Sequence, residues 1–494
     1  MYKKNKLSRR KFIGSSALAT AGLTILPSRV ISGLGHKPPS DKLNIAGIGV
    51  GGYGYTNLRH METENIVALC DVDRDYAGNN SFKRWPMAKT YKDYRVMFEQ
   101  QKDIDAVMIA TPDHNHALPA LMAMREKKHV FLQNPLTHSI YESRILKDTA
   151  TRYQVATQMG NQGNSDEGIR RICEWVWAGV IGEITHVDVW TNQPVWSQNL
   201  QPPDRSKRVP RDLDWDLFVG PAEWREYHPV YHPWKWRSWW NFGSGALGEM
   251  GCHVLNPAFK ALLLEAPDTI EASSTPFNVE SPPNSEFISY KFPRRDNLPK
   301  TAMPEVVINW YDGGLMPPRP DELKDGKFMG DENGGSVFYG TRGKIMCGAY
   351  GQNPTLLPTS EMEHFQEPDK SLRRISSAMQ GGHEQDWIRA CKESHDRRLE
   401  ATSNFENAGP LTETVLLGVL TVRTQSLRRK LQWDRPNMRI KNINSGDVLR
   451  ILINKNFELT HGNYNVSKKY DTFIAVDTIQ EWIRHEYRQG WEQI

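Results

Sequence analysis

The residues best placed to do chemistry are Glu249 and His253, within Glu249-Met250-Gly251-Cys252-His253. On a helix, positions i and i+4 share a face, so the carboxylate is expected to orient the imidazole and stabilise its protonated form. A histidine so held can take a proton from a hydroxyl while a nicotinamide takes the hydride from the same carbon. A surface Glu–His pair would look the same in isolation. Two glycine-rich stretches argue against that blander reading. One, Gly243-Ser244-Gly245-Ala246-Leu247-Gly248, leads into the pair; the other, Gly49-Val50-Gly51-Gly52-Tyr53-Gly54, lies far upstream.

The upstream loop follows an apolar stretch, 43–48, that reads as a strand, and a second strand at 66–70 ends at Asp71. Asp71 stands 22 residues after Gly49, the spacing of the acid that holds an adenosine ribose in a dinucleotide fold. Strand-like runs at 105–110 and 129–132 pass into the polar clusters Thr111-Pro112-Asp113-His114-Asn115-His116 and Gln133-Asn134-Pro135. Residues 158–162 close this domain with another polar strand end. In open parallel sheets ligands bind outside the carboxyl ends of strands, where these clusters fall. His114 and His116 have no further ligands grouped near them in sequence, so no metal is expected.

Beyond residue 165 the pattern changes to a helix at 167–178, a strand at 184–190, and a loop rich in Pro, Trp and Tyr over 193–241. Loops of this length in a compact domain are usually functional. Asn256-Pro257 reads as the N-cap and first position of a helix over 258–264. Strands are expected near 287–292 and 306–311, and helices at 383–392 and 411–427.

A chain of 494 residues is too long for one simple core. The expected division is a signal segment over 1–35, a dinucleotide-binding domain over 40–163, and a substrate and oligomerisation domain over 164–494 with a C-terminal extension. Lys+Arg number 62 against 58 Asp+Glu, a formal net charge of +4, and no basic stripe marks a nucleic-acid partner. Sixteen Trp and a mean hydropathy of −0.61 suit a soluble chain with aromatic surfaces for stacking on sugars. Ser8-Arg9-Arg10-Lys11-Phe12-Ile13, followed by the uncharged run 14–26, is similar to a twin-arginine export signal and too short for a confident membrane span. The expectation is a periplasmic protein, exported folded and cleaved near 28–35, with no stable membrane span afterwards. Its five cysteines are odd in number and widely spaced, with no CxxC. They form neither a disulfide framework nor a zinc site, which suits folding before export.

Together the motifs resemble those of the Gfo/Idh/MocA oxidoreductases, NAD(P)-dependent enzymes acting mainly on sugars and cyclitols. The nearer likeness is to an exported branch common in Bacteroidetes and Planctomycetes. It rests on ATPDHNHA (110–117), NPLTHS (134–139), MGNQGNS (159–165), VPRDLDWDLFVGPA (209–222), WRSWWNFGSGALGEMGCHVLNP (236–257) and LTETVLLGVL (411–420). The resemblance implies an α/β fold. An N-terminal Rossmann domain would precede an α/β domain whose open, mostly antiparallel sheet carries a homo-oligomer interface. It implies NAD as cofactor, with NADP not excluded, and a small carbohydrate as substrate. By position, Gly49, Gly51, Gly52, Tyr53 and Gly54 would cradle the pyrophosphate, and Asp71 would hold the adenosine ribose. Thr111, Pro112, Asn115, His116, Gln133 and Asn134 would line the nicotinamide-ribose side, with Asn161 beside the ring. His253 matches the proton-transferring histidine, and Glu249 replaces the usual aspartate. Trp196, Lys235, Trp236 and Arg237 would meet the substrate.

Asn134 departs from the family pattern, which places a lysine there to assist proton transfer. Asparagine can hydrogen-bond a sugar hydroxyl but cannot relay a proton at neutral pH; Lys235 is the candidate to restore the charge. Residues 448–480 read as an insertion before Tyr487-Arg488-Gln489-Gly490-Trp491, which resembles the branch's terminal motif. Three functions compete. The first is an NAD(P)-dependent oxidoreductase acting on a carbohydrate or cyclitol hydroxyl or ketone, with tightly bound cofactor. The second is a redox-neutral, NAD-dependent glycoside-cleaving or lyase enzyme proceeding through a keto-sugar. Related NAD-dependent glycosidases also lack the lysine, but they carry a Cys-Cys-Tyr-Asp-like segment where this chain has Gly160-Asn161-Gln162-Gly163. The third is a non-catalytic carbohydrate-binding homologue, against which His253 argues.

Overall fold

Strands buried on both faces of a parallel sheet read as unbroken apolar runs, and the first strands of this chain are of that kind. A computed structural model describes residues 41–76, 78–296 and 303–491; the expected export signal lies outside them. Six parallel strands form the first sheet: β1 (Asn44–Ile48), β2 (Asn65–Cys70), β3 (Lys89–Tyr91), β4 (Ala106–Ile109), β5 (His129–Leu132) and β6 (Thr157–Met159), in the order β3-β2-β1-β4-β5-β6. The order reverses between β1 and β4, the switch point where an open parallel sheet leaves a crevice at its strand ends. The glycine loop follows β1 and the 111–116 cluster follows β4, so both open onto that crevice.

The second sheet has nine strands: β7 (Ile184–Thr191), β8 (Thr269–Ser274), β9 (Glu286–Phe292), β10 (Val306–Tyr311), β11 (Gly334–Gly340), β12 (Lys344–Gly348), β13 (Thr355–Leu357), β14 (Leu431–Asp434) and β15 (Arg439–Ile440). Their order is β13-β12-β11-β7-β10-β9-β8-β14-β15, antiparallel except for β10 beside β7. In β9 and β10 alternate residues are buried, the period-2 signature of a sheet with one face in the core. Ile288, Tyr290, Ile308 and Trp310 point inward and pack in the same core as the helices Gly245–Val254 and Phe405–Arg423. Those layers meet closely: a methyl group on Gly418 would overlap the Tyr290 hydroxyl, and one on Gly251 would press on Val415.

The expected boundary at 163/164 is crossed in space. The helix Gly382–Cys391 returns to the first sheet, where Trp387 and Ile388 join a core with Ile45, Leu58, Met108 and Phe131. Arg144 of the helix Ile140–Tyr153 pairs at 2.7 Å with Glu413 of the helix Phe405–Arg423, fastening the two halves again. The 448–480 insertion is a hairpin, β16 (Val448–Thr460) and β17 (Asn463–Ile474), followed by the helix Ala475–Ile483. Its base is buried through Leu449 and Ile451, while Phe457, Leu459 and Tyr464 at its far end are exposed.

One local expectation fails. Asn256 does not cap the helix Asn256–Ala261; Leu255 holds that position, and the Asn256 side chain makes no capping bond. The preceding helix, Gly245–Val254, ends only one residue earlier, so no extended residue is available for a side-chain cap.

Candidate active site

The first wall of the site is the glycine loop. Gly49 has φ +72°, and a Cβ there would come within 2.7 Å of the Ala110 backbone. A Cβ on Gly54 would overlap the Gly49 carbonyl, whereas one on Gly52 would meet nothing within 4 Å. Gly49 and Gly54 thus close the turn, and Gly52 leaves open the space a pyrophosphate needs. Asp71, at the end of β2, accepts the backbone N–H groups of Val50 and Asp73, each at 2.9 Å. Each oxygen accepts one of these bonds, and Asp71 lines the cleft. Burial pushes its carboxyl up to about 6, against the pull of those two N–H groups.

These residues line a cleft of about 650 Å³ at the switch point, a volume within the range of cofactor sites. Gly49, Gly51, Gly52, Tyr53, Asp71, Thr111, Pro112, Asn115, Gln133 and Asn134 all face it. Two are visibly fixed. The Asn115 amide donates to the Phe218 carbonyl at 3.1 Å. Gln133 donates to Asn57 at 2.8 Å, and Asn57 donates at 2.8 Å to Glu384 of the returning helix.

The opposite wall comes from the helix Gly245–Val254 and the 193–241 loop. Trp236, Arg237, Glu249 and His253 face the cleft. So do Asp113, His232, Trp234, Met250, Tyr350 and Trp491, which the sequence did not single out. Asp113 had a legible signal, since it sits in the polar cluster after β4. Trp491 was legible only as the end of the 487–491 motif; the folded C-terminal segment brings it to the cleft. The loop is pinned to the dinucleotide domain by a buried pair, His232 Nε2 to Asp73 at 2.7 Å, and by its own aromatic core of Trp215, Phe218, Tyr231, Trp239 and Phe242. Much of the tryptophan that composition offered for sugar stacking is therefore core.

The expected Glu249–His253 contact is not made. Glu249 pairs instead with Arg237 at 3.2 Å, and the Arg237 guanidinium lies 3.9 Å and 4.1 Å from the Trp234 and Trp236 ring centroids. A fixed cation outcompetes a neutral ring for a buried carboxylate. His253 is neutral because burial holds its pKa down to about 4, with His383 adding a smaller push. Burial raises the Glu249 carboxyl, which Arg237 opposes, and burial together with Glu249 raises Asp113 well above the carboxylate range. Asp113 also accepts the Ser244 hydroxyl at 2.9 Å. Asn134 faces the cleft, but its amide donates to the Glu249 carbonyl at 2.8 Å.

Five of the expected site residues stand outside the cleft lining. Gly54 lies beneath the loop it closes. His116 is buried, with its ring nitrogens 2.8 Å from the Pro135 and Thr111 carbonyls, so it braces two strand ends. Asn161 is buried and donates to the Cys252 carbonyl at 3.1 Å, supporting the helix that carries His253. Lys235 is exposed and does not supply the missing lysine charge; Arg237 is the cation in the wall. Trp196 is half-buried elsewhere. His114 sits between the Phe242 and Phe218 carbonyls, and among the described residues no group of side chains is arranged to hold a metal.

Comparison with known proteins agrees with this construction. The model of an oxidoreductase family with an NAD-binding Rossmann fold, Gfo/Idh/MocA, matches residues 43–161, and that of its C-terminal alpha/beta domain matches 170–284. An alpha-N-acetylgalactosaminidase of Shewanella oneidensis is 30% identical over 208 residues, 37% of this chain and 45% of that protein. The chain thus spans less than half the length of such curated relatives. In backbone it is similar to GenD2 from gentamicin A biosynthesis, solved with NAD, at TM-score 0.52 and 15% identity, covering 84% of this chain and 100% of that one. It is similar also to levoglucosan dehydrogenase, solved with NADH, at TM-score 0.52 and 16% identity, covering 77% and 98%. With a glycine loop and an acid shaped for NAD, and both family domains matched in order, the chain belongs to the Gfo/Idh/MocA oxidoreductases.

Proposed function

We propose that the protein oxidises or reduces a hydroxyl or ketone of a carbohydrate or cyclitol and keeps its NAD tightly bound. One observation carries the reading. Asp113 Oδ1, Glu249 Oε1 and His253 Nδ1 are buried polar atoms without partners, and all three residues line one wall of the nucleotide cleft. Buried polar atoms left open are costly unless a ligand satisfies them, and a polyhydroxylated ring offers donors and acceptors to all three. When bound, NAD supplies the two-electron acceptor for the hydrogen on the substrate carbon. Gly49, Gly52, Asp71, Thr111 and Gln133 are the residues that would hold it. His253, neutral through the physiological range, takes the hydroxyl proton; Asp113 and Glu249 orient the neighbouring hydroxyls, and Arg237 holds Glu249 in place. Asp71 disfavours a 2′-phosphate, and Arg74 is engaged away from the cleft, over Phe82 at 5.4 Å and donating to Thr90 at 3.0 Å. Both favour NAD over NADP. Reduction of the bound NAD across a panel of sugars and cyclitols, in wild type and His253→Ala, tests the reading. A panel that leaves the bound NAD oxidised refutes it.

A second reading, a redox-neutral glycoside-cleaving enzyme, draws support from the alpha-N-acetylgalactosaminidase relative and from the neutral Asn134. Release of a sugar from aryl glycosides without added nucleotide would favour it over the first. Export in the folded state suits a resident cofactor, since free nucleotide is scarce outside the cytoplasm. Among the described residues no helix is long and apolar enough to cross a membrane. The open face of the nine-stranded sheet, with Phe287 against Tyr311 and His186 stacked on Tyr339, is the surface on which copies would associate.

A further inference from the structure

A second cavity, of about 320 Å³, lies on the far side of the 111–116 segment from the nucleotide cleft. Its inner wall is the end of the helix Phe405–Arg423 with Trp240; its outer wall is the C-terminal segment carrying Thr478, Trp482 and His485. Arg423 dominates it. The guanidinium lies 3.7 Å from the Trp482 ring centroid and 5.4 Å from that of Trp240. It makes no hydrogen bond or ion pair with any described residue; Glu481 and Glu280 act on it only through space. Burial lowers its pKa to about 9, the mark of a cation held in poor solvent. Trp240 is 6% exposed, and its indole Nε1 is buried without a partner. The other cation in the wall, Arg225, is already paired with Glu280 at 2.9 Å.

The fork of Arg423 thus stands unanswered in this cavity, and the indole N–H of Trp240, buried in its wall, is likewise without a partner. A planar carboxylate matches a guanidinium fork in two parallel bonds. Three further carboxylates, Glu223, Glu481 and Glu486, stand exposed around the rim. They repel a dianion such as a phosphate, but accept hydroxyl groups readily. His485, 4.7 Å from the His138 ring, is kept neutral by burial and adds a further hydrogen-bonding group. A neutral sugar would leave the guanidinium unanswered.

We infer that this cavity binds a hydroxyl-rich monocarboxylate, a sugar acid, with its carboxylate on Arg423 and Trp240 Nε1 and its hydroxyls toward the rim carboxylates. The site is separate from the nucleotide cleft and does not depend on the reaction assigned there.

The test is calorimetric titration of the full-length protein, as purified, with D-glucuronate and D-gluconate, alongside D-glucose and glucose 6-phosphate. At least one sugar acid should bind saturably, with glucose and glucose 6-phosphate weaker by roughly tenfold or more. Arg423→Met should weaken binding by a similar factor. Thr478→Trp, at a half-buried position on the outer helix, fills the cavity while keeping Arg423 itself and should also abolish binding. That variant keeps the test decisive if Arg423→Met fails to fold. His253→Ala, in the nucleotide cleft, should leave sugar-acid affinity unchanged. The inference is overturned if neither acid binds at millimolar concentration, if glucose binds equally well, or if binding survives in folded Thr478→Trp.

Discussion

Replacing Arg237 by methionine separates the wall of the cleft into its electrostatic parts. Arg237 Nε lies 3.2 Å from Glu249 Oε2, with side chains 18% and 14% exposed. At an effective dielectric of about 20 the attraction is about 5 kcal/mol before the cost of desolvating both ions. Removing only the cation strands a carboxylate beside Asp113, a loss of about 3–5 kcal/mol for a buried pair. Because both side chains keep some solvent, about 3 kcal/mol is expected at pH 8. The loss should depend on pH in a defined direction. Burial raises the Glu249 carboxyl and Arg237 opposes the rise, so without Arg237 the carboxyl rises further. A raised carboxyl pKa contributes stability at low pH that is lost as pH climbs through the folded value. The deficit of Arg237→Met should therefore shrink between pH 8 and pH 6. Glu249→Gln in the same background removes the stranded charge and should recover much of the loss. Urea unfolding of the wild type, both single variants and the double variant, at both pH values, reads this out. Equal deficits at the two pH values, or strictly additive losses in the double variant, would show that Arg237 does not compensate Glu249.

His253→Ala should lower turnover on the best substrate by roughly 10²–10⁴ while nucleotide content is unchanged, measured on the same preparation by kinetics and by nucleotide release. Thermal midpoints should fall below pH 6.5. His114, His116, His129, His253 and His485 are each held down to about 4 by burial, so their stabilisation is present above the unfolded value of about 6.5 and lost as pH falls toward 4. The carboxyls that burial raises, Asp71 to about 6, Asp312 to about 7, and Asp113, Glu142, Glu249, Glu286 and Glu400, act oppositely. The fall is the net of two opposing sets in which the histidines, joined by His138, His186 and His383, slightly outnumber the carboxyls; a midpoint at pH 5 equal to that at pH 7 would contradict this balance. Gly54→Ala should yield protein with less than about a tenth of the wild-type nucleotide, because its Cβ would overlap the Gly49 carbonyl and open the turn; full retention would remove that loop from the cofactor site.

The dinucleotide half was legible almost residue by residue because its information is local. β1, β2, β4 and β5 are short apolar runs, each ending in a polar or glycine signal, and the structure places them within a residue or two of the expected bounds. β3 was not legible: it is three residues at the sheet edge, largely exposed, with no apolar run to announce it. The strands Thr269–Ser274, Gly334–Gly340 and Lys344–Gly348 were missed for a related reason. Their glycines, serines and lysines carry little strand propensity, and long-range pairing holds them. In the site, glycine spacing and Asp71 could be read directly. The partner of Glu249 could not, because Arg237 arrives from a loop twelve residues upstream whose path is set by His232 on Asp73 and by an aromatic cluster. The i to i+4 rule identified the shared helix face correctly but not the stronger competitor across the cleft. The return of the helix Gly382–Cys391 to the first sheet is likewise a tertiary fact that no sequence window contains.

The most direct test of a carbohydrate oxidoreductase with resident NAD is optical. Protein purified without added nucleotide is mixed in turn with a panel of aldoses, ketoses and cyclitols, and the near-ultraviolet absorbance of reduced nicotinamide is followed. A matching sugar should raise that band in a single burst no larger than the protein concentration, and the burst should vanish in His253→Ala. A flat trace across the whole panel, from protein shown by denaturation to carry oxidised NAD, would contradict the proposed function.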